Sequence, residues 1–350
     1  MGTYPREYKD MYIHSSTWET NGIPVKEVGY LNFFGVRSIA RTIGVYRDMV
    51  KWFRRQKGTE NYALLYSMIT PFMLAGVLAK KRCKGLKLCL YVPDLPGFFI
   101  QMGGKGLLYR LLKKMDCALM NRLLKHIDSF ALLTEKMNEH VNPERKKPYM
   151  VLEGIVSSED GAEEMEQDLP PDRKSFVYTG LLDSTFGVVD LAEAFMLIEG
   201  ESYSLELYGN GEALDRLRAM AEKDPRIHCH GAVPREEALA CQREAYILIN
   251  PRMPDKEFVK YSFPSKTIEY LLSGRPVMMF RLDGVPEEYY EHIITIPSSG
   301  RKEMAEAMKK TADLPREELS ERGRRGREFV LREKNEKRQG QKLAELLKRS

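Results

Sequence analysis

One segment in the second half of the chain holds the residues whose types and spacing point most clearly to chemistry. It reads INPRMPDKEFVKYSFPSKTIEYLLSGRPVMMF and places Arg252, Lys266 and Glu269 around one predicted helix start. A helix N-terminus presents unpaired backbone N–H groups and a partial positive charge, so Ser265, Lys266 and Thr267 can together receive an anion. An ionised carboxylate only accepts hydrogen bonds, so Glu269 suits a sugar diol. The segment therefore predicts a site for a phosphorylated sugar.

At these residues the chain resembles the retaining glycosyltransferases of family 4. That family carries a Glu, seven residues and a second Glu, followed by a small residue, Gly and Pro. Glu269 matches the second Glu and the run SGRPV follows it, but Tyr261 stands in the place of the first Glu. The role of that first carboxylate is therefore either lost or taken by Glu257. The form FPSKTIEYLLSGRP resembles a bacterial branch that builds exopolysaccharide, capsule or cell-wall glycans.

The resemblance implies a fold of the GT-B type, in which two Rossmann-like, doubly wound α/β lobes face each other across a cleft. It implies a nucleotide-diphosphate sugar as co-substrate and no other cofactor. The candidate donor-binding residues are Gly180, Gly209, Gly231, Val233, Asn250, Arg252, Ser265, Lys266, Thr267 and Glu269. The candidate catalytic residues are Lys266, Glu269 and Asp94.

Length and composition bound the class of protein. The chain has 350 residues, of which 43% are hydrophobic and 30% charged, which is typical of a globular protein with two domains. The five cysteines form no CxxC pair, so a reducing cytoplasm is predicted rather than a disulfide framework. Residues 1–26 lack the apolar core of a signal peptide.

The uncharged run 62–79 is the only candidate for a membrane span. Pro71 in its middle favours instead a buried strand that turns into a helix beginning near that proline. We therefore predict a strand and a helix rather than a span.

Charge is distributed unevenly along the chain. Residues 1–156 contain 25 Lys plus Arg against 13 Asp plus Glu, and the remainder contains 30 against 37. A basic first half is expected if it rests on anionic lipid or receives a phosphorylated, lipid-linked acceptor. Nucleic acid is not predicted as a partner, because no known nucleic-acid-binding motif occurs.

From residue 175 onward, short apolar runs alternate with helical patterns, which predicts a parallel sheet covered on both faces. The predicted strands are 175–180, 205–209, 226–231, 246–251 and 276–280, with helices starting near Val188, Glu212, Arg235 and Ser265. Ligands of such sheets bind beyond the carboxyl ends of the strands, where Gly180, Gly209, Gly231 and residues 250–252 stand.

The first half shows the same rhythm more weakly, with strands predicted near 26–31, 62–66, 86–92, 129–133 and 148–152. We predict a basic N-terminal acceptor-side lobe (1–156), a linker (157–173), a C-terminal nucleotide-sugar lobe (174–315) and C-terminal helices that partly cross back (316–350). The apolar first strand and Gly-rich turn expected in the family have no counterpart in residues 1–21, so the N-terminal lobe is predicted either to be incomplete or to be built differently.

The segment YTGLLDSTFG (178–187) joins a strand to a helix and is a second place for the donor diphosphate. The family often has an Arg and a Lys here, but this chain has Leu181 and Phe186. Arg252 and Lys266 are therefore the candidates that meet the phosphate charge.

A metal site is not predicted. His228 and His230 alternate on a strand without a third ligand nearby, and the chain contains no Asp-x-Asp. The backbone from Gly231 to Val233 is instead expected to line the base, as the resemblance implies.

Asp94 follows a buried strand of the first half, where the family often has His-Asp. It is predicted either to orient or deprotonate the acceptor hydroxyl or to cap a turn.

The segment 106–125 reads as an amphipathic helix with a basic flank, which either packs on its own domain or also touches the inner membrane leaflet. The glycines at 103–106 are predicted to form a flexible turn.

These observations favour a cytoplasmic glycosyltransferase, with peripheral contact to the inner membrane face as a further prediction. It would move a sugar from a nucleotide diphosphate to a carbohydrate or lipid-linked glycan. Two alternatives stay open: a non-catalytic nucleotide-sugar-binding subunit of a polysaccharide assembly complex, and a GT-B nucleotide-sugar epimerase.

Overall fold

The computed structural model of the protein divides into two compact units. It describes residues 10–33, 36–56, 60–96, 107–157, 159, 169 and 174–350. The first unit contains Met1–Leu133, Met137–Val151 and Leu343–Ser350, and the second contains Thr134–Lys136 and Leu152–Lys342. Residues 316–342, predicted as part of the returning helices, thus belong to the second unit. The predicted linker 157–173 and the turn at 103–106 lie largely or wholly outside the described residues.

Two antiparallel strand pairs open the first unit. β1 (Tyr12–Ile13), β2 (Ser16–Thr20), β3 (Ile23–Glu27) and β4 (Tyr30–Leu31) pair as β1 with β4 and β2 with β3. Asn21 and Gly22 join β2 to β3 with φ angles of 50° and 75°, as a two-residue hairpin turn requires. The prediction that residues 26–31 form a strand of the parallel sheet is therefore wrong.

The other predicted strands of the first half form a four-stranded parallel sheet, as expected. In spatial order they are β5 (Asn61–Tyr66), β6 (Leu86–Val92), β7 (Ser129–Leu132) and β8 (Tyr149–Val151). The helices of this half are α1 (Arg37–Arg55), α2 (Thr70–Arg82), α3 (Leu107–Leu124) and α4 (Asn138–Val141). Pro71 lies in the first turn of α2, which confirms the strand-to-helix prediction. Among the described residues, no helix is both long and apolar enough for a membrane crossing.

The second unit is built on a six-stranded parallel sheet. Its strands are β9 (Lys174–Thr179), β10 (Tyr203–Tyr208), β11 (Ile227–Gly231), β12 (Ile247–Asn250), β13 (Val277–Phe280) and β14 (Ile294–Ile296), in the spatial order β11-β10-β9-β12-β13-β14. The five strands predicted here are confirmed, and β14 was not predicted. Every residue of β12 and β13 is buried, as expected for central strands covered on both faces.

Four helices connect strands of this sheet and begin near the predicted places: α5 (Val188–Phe195), α6 (Leu214–Ala221), α7 (Arg235–Arg243) and α8 (Lys266–Leu272). Three more follow β14: α9 (Arg301–Ala312), α10 (Arg316–Glu333) and α11 (Glu336–Lys348). Together with the two parallel sheets, they confirm the α/β class.

A buried ammonium group holds together the beginning and the end of the second unit. Lys334 is 2% exposed, and its Nζ bonds to the carboxylates of Glu153 and Glu288. Tyr289 donates its hydroxyl to Glu153 Oε1 at 2.8 Å. Burial and the Glu153 carboxylate raise the pKa of Tyr289, so the phenol stays a neutral donor.

We predict that Lys334→Met strongly destabilises the protein. The substitution leaves the buried Glu153 carboxylate without its cation, a loss of about 3–5 kcal/mol in the free energy of unfolding. Urea unfolding followed by far-UV circular dichroism measures it. The exposed Lys337→Met serves as the control, and a Lys334→Met loss no larger than that of the control would contradict the role of this pair.

Candidate functional site

The carboxyl ends of β9, β10 and β11 meet through backbone groups at three candidate glycines. Gly180 N–H donates to Tyr208 O at 2.9 Å, and Gly209 N–H donates to Gly231 O at 2.7 Å. Gly209 has a φ of +141°, and a Cβ atom added there would lie 1.7 Å from Gly180 O. Only glycine permits this approach, which brings the loops after the three strands together.

The loop after β9 also presses against the loop after β12. Gly187 has a φ of +80°, and a Cβ atom there would lie 2.1 Å from Pro251 O. The guanidinium carbon of Arg252 lies 4.9 Å from the centre of the Phe186 ring. The loop after β12 thus places a cation beside Phe186, one of the two positions where the family often has a basic residue.

Arg252 presents a half-buried cation with few partners. Its Nη1 donates to Ser262 Oγ at 3.0 Å, and within the described part of the chain no carboxylate pairs with it. Burial lowers the pKa of its guanidinium, partly offset by the neighbouring Tyr178. Burial also raises the pKa of Tyr178 to about 12, so this phenol is neutral and donates to Leu181 O at 3.0 Å. A guanidinium with unused N–H donors is suited to a phosphate oxygen.

Lys266 and Glu269 form an ion pair on the first turn of α8. Lys266 Nζ lies 2.6 Å from Glu269 Oε1, and the two side chains are 33% and 26% exposed. The sequence predicted separate roles for these two charges, whereas here each is the partner of the other. A ligand that separates them must therefore offer both an anion to Lys266 and donors to Glu269.

Gln242 on α7 is a member of the site that sequence reasoning missed. Its Nε2 donates to Glu269 Oε1 at 2.5 Å and to Thr179 Oγ1 at 2.7 Å. Tyr270 OH in turn accepts the Thr179 N–H at 2.9 Å and is fully buried. This network joins the carboxyl end of β9 to α8 and fixes Glu269 against it. A glutamine in the last turn of a charged helix gives no sequence signal for such a role.

Ser265 and Thr267, the two other residues predicted to bind an anion at the start of α8, differ in exposure. Ser265 is exposed and makes no side-chain cap to the helix. Thr267 is buried, with its Oγ1 directed to Met279 Sδ at 3.6 Å and its N–H donated to Pro264 O at 2.8 Å. Both donors of Thr267 are thus used inside the protein, so it does not present them to an anion.

The remaining candidates lie at the expected strand ends. Asn250 is buried at the end of β12, and its Oδ1 accepts the Arg252 N–H at 3.4 Å. Gly231 ends β11 with open space where a Cβ atom would be, and Val233 is half-buried in the loop before α7. Tyr261 and Glu257 belong to a single 3₁₀ turn between β12 and α8.

The two histidines of β11 lie near the Glu206 carboxylate, and only His230 is within hydrogen-bond distance of it. His230 Nε2 lies 2.8 Å from Glu206 Oε2, and its ring stacks on Tyr208 at 4.2 Å. His228 Nε2 is 4.0 Å from Glu206 Oε1. In the described ranges, no group of three or more His, Cys, Asp or Glu side chains is arranged to hold a metal ion.

Asp94 is exposed just beyond the carboxyl end of β6 in the first unit, whereas Lys266 and Glu269 belong to the second unit. Its position after a parallel strand is the one expected for a ligand-facing residue. Residues 97–106, which follow Asp94 on the way to α3, lie outside the described part of the chain.

A family model agrees with the architecture of the second unit. Residues 173–313 match the model of the group 1 glycosyl transferases, a range that includes Lys266, Glu269, Gln242 and Arg252. No curated protein matches the sequence significantly.

Solved structures that resemble the whole chain share its fold. HepE (Alr3699) of Anabaena, in complex with UDP, aligns with a TM-score of 0.63 at 11% identity over 90% of this chain and 84% of that one. The sucrose-phosphate synthase of Thermosynechococcus elongatus gives a TM-score of 0.62 at 14% identity over 98% and 87%. A mutant of S. aureus TarM, in complex with fondaparinux, α-GlcNAc-glycerol and UDP, gives 0.58 at 12% over 92% and 62%. The fold is therefore GT-B, with two Rossmann-like units, and together with the family match it supports a GT-B glycosyltransferase.

We predict that Gly209→Ala destabilises the protein by more than a positive φ alone explains. Its Cβ atom would collide with Gly180 O, so the loops after β9 and β10 must separate. Gly85→Ala is the control, since Gly85 also has a positive φ (+94°) but no atom within 4 Å of its Cβ position. The control should lose about 1 kcal/mol, and thermal unfolding compares the two. Equal losses would show that the close contact of these loops is unimportant.

Proposed function

We propose that the protein is a retaining glycosyltransferase that moves a sugar from a nucleoside diphosphate to a carbohydrate or lipid-linked glycan acceptor in cell-surface polysaccharide synthesis. The observation that carries this proposal is the Lys266–Glu269 pair, which lies within the region matched by the family model. Gln242 ties this pair to Thr179, and Arg252 lies over Phe186. The carboxylate proposed to bind the diol thus lies near the start of the loop after β9, and the Arg252 cation lies near its end.

Donor binding exchanges the partners of this pair. The diphosphate takes the ammonium of Lys266 and the guanidinium of Arg252, while the ribose hydroxyls take the carboxylate of Glu269. A cavity of about 170 Å³ borders Glu269, and within the described structure its Oε2 has no hydrogen-bond partner. The carboxylate therefore has one oxygen ready for a hydroxyl before the lysine leaves. We propose UDP-sugars as the first donors to test, because HepE and TarM were solved with UDP.

The transfer breaks the bond between the anomeric carbon and the diphosphate oxygen. The acceptor hydroxyl forms the new bond on the same face of the sugar, and its proton passes to the departing diphosphate. Lys266 and Arg252 stabilise the negative charge that develops on that diphosphate, since fixed cations lower the barrier where charge appears. Asp94 of the first unit is proposed to orient the acceptor hydroxyl for this transfer.

A non-catalytic, donor-binding subunit of a polysaccharide assembly complex is the second candidate. Tyr261 occupies the place of the family's first Glu, and Leu181, at 53% exposure, occupies the place of an Arg. Binding of a nucleotide sugar without turnover, rescued by a partner chain, would favour this candidate over the enzyme.

We predict that Lys266→Ala and Glu269→Ala each lower turnover at least about tenfold, since each loses a charge-assisted hydrogen bond to the donor. Release of nucleoside diphosphate from UDP-sugars, with and without a glycan acceptor, measures the rate. Lys174 provides the control, because it forms a 2.6 Å ion pair with Asp313 in the same unit and its side chain is 32% exposed, against 33% for Lys266. Lys174→Ala should leave turnover unchanged, and near-normal rates in both site variants would refute the site.

The first unit, proposed to bind the acceptor, offers a surface suited to anionic lipid. We propose that the protein is cytoplasmic and contacts the membrane peripherally. Helix α3 exposes apolar side chains at helical spacing, flanked by exposed cations. The apolar residues are Leu111, Leu112, Met115 and Leu119, and the cations are Arg110, Lys114, Arg122 and Lys125. A helix with this pattern binds at the lipid interface through its apolar face and its charges together.

We predict that the protein co-sediments with phosphatidylcholine vesicles that contain phosphatidylglycerol, and less with phosphatidylcholine alone. The double variant Leu112→Ser, Met115→Ser should weaken this binding several-fold, because each substitution removes apolar area that the lipid would bury. Leu197→Ser in the second unit is the control, since Leu197 is similarly exposed at 51%. Equal binding by all three proteins would remove α3 from the membrane proposal.

A further inference from the structure

Gln242 is a fully buried amide that lies directly behind the Glu269 carboxylate. None of its surface is exposed to bulk solvent, although it lines the same cavity as Glu269. Its two amide hydrogens go to Thr179 Oγ1 at 2.7 Å and Glu269 Oε1 at 2.5 Å. With both amide hydrogens used in this way, Gln242 acts on a ligand through Glu269.

The burial of this amide leaves one of its polar atoms without a partner. Gln242 Oε1 has no hydrogen-bond partner among the described residues. A buried acceptor without a partner costs folding free energy, which the two hydrogen bonds from Nε2 must offset. The function of the amide must then lie in its two donated hydrogen bonds.

Those hydrogen bonds set the direction of one carboxylate. Glu269 Oε1 accepts from both Lys266 and Gln242. When Lys266 moves to a diphosphate, Gln242 remains as the donor that holds Oε1 against the end of β9. A carboxylate held in this way keeps both oxygens aligned for adjacent hydroxyls, whereas a free one rotates and loses part of each hydrogen bond.

We infer that Gln242 is a positioning residue that gives the donor site its preference for ribonucleotides over 2′-deoxyribonucleotides. The inference rests on the proposed function, in which Glu269 binds the ribose diol. Gln242 acts by orienting that carboxylate and does not touch the donor.

Isothermal titration of the full-length protein tests the inference with UDP, ADP, GDP and CDP, each beside its 2′-deoxy counterpart. For the diphosphate that binds best, the wild type should prefer the ribose form about tenfold, the value of one charge-assisted hydrogen bond. Gln242→Leu should reduce this preference to below about threefold.

Two further variants separate positioning from a general structural effect. Gln339 is also a buried glutamine of the second unit whose Oε1 lacks a described partner, and its Nε2 donates to Glu333 O at 2.6 Å. Gln339→Leu should therefore keep the wild-type preference even if it loses similar stability. In a Glu269→Ala background, Gln242→Leu should not change the preference further, because both act through one carboxylate.

The outcomes distinguish the inference from the function on which it rests. If none of the diphosphates binds the wild type, the proposed function fails and the inference falls with it. If the wild type binds with a ribose preference that Gln242→Leu leaves unchanged, only the role of Gln242 is overturned. Wild-type binding without any ribose preference, or an added effect of Gln242→Leu in the Glu269→Ala background, would also overturn that role.

Discussion

The site depends on one carboxylate that two donors share. Glu269 Oε1 accepts from the partly exposed ammonium of Lys266 and from the fully buried amide of Gln242. The first contact can be exchanged with a ligand at little cost, because an exposed ion pair contributes little net free energy. The second cannot be released without exposing a buried polar group. The contact of this carboxylate with Lys266 can thus be exchanged for a ligand, whereas its contact with Gln242 stays in place.

The sheet supplies the rigid frame that this carboxylate needs. Close backbone contacts at Gly180, Gly209 and Gly187 hold the loops after β9, β10 and β12 against one another. The phenol of Tyr270 then joins the end of β9 to α8 from inside the core. Because these contacts involve backbone groups and buried side chains, the loop residues that would meet a ligand are carried by parts of the fold that move least.

Local patterns in the sequence predicted the elements of the second unit well, because strand ends, glycines and helix starts are encoded in neighbouring residues. They did not predict Gln242, whose partner Glu269 is separated from it by a strand and a loop. Thr267 was expected to meet an anion, but the helical period turns it into the core beside Met279. The hairpin at Asn21 and Gly22 carried a local signal that the expected family pattern of parallel strands concealed.

A structure of the protein with UDP bound tests the central claim most directly. In the structure described above, Lys266 Nζ lies 2.6 Å from Glu269 Oε1. The account predicts that UDP separates these atoms, with the ammonium on a diphosphate oxygen and the carboxylate on the ribose hydroxyls. UDP bound elsewhere, or bound while the ion pair stays closed, would contradict it.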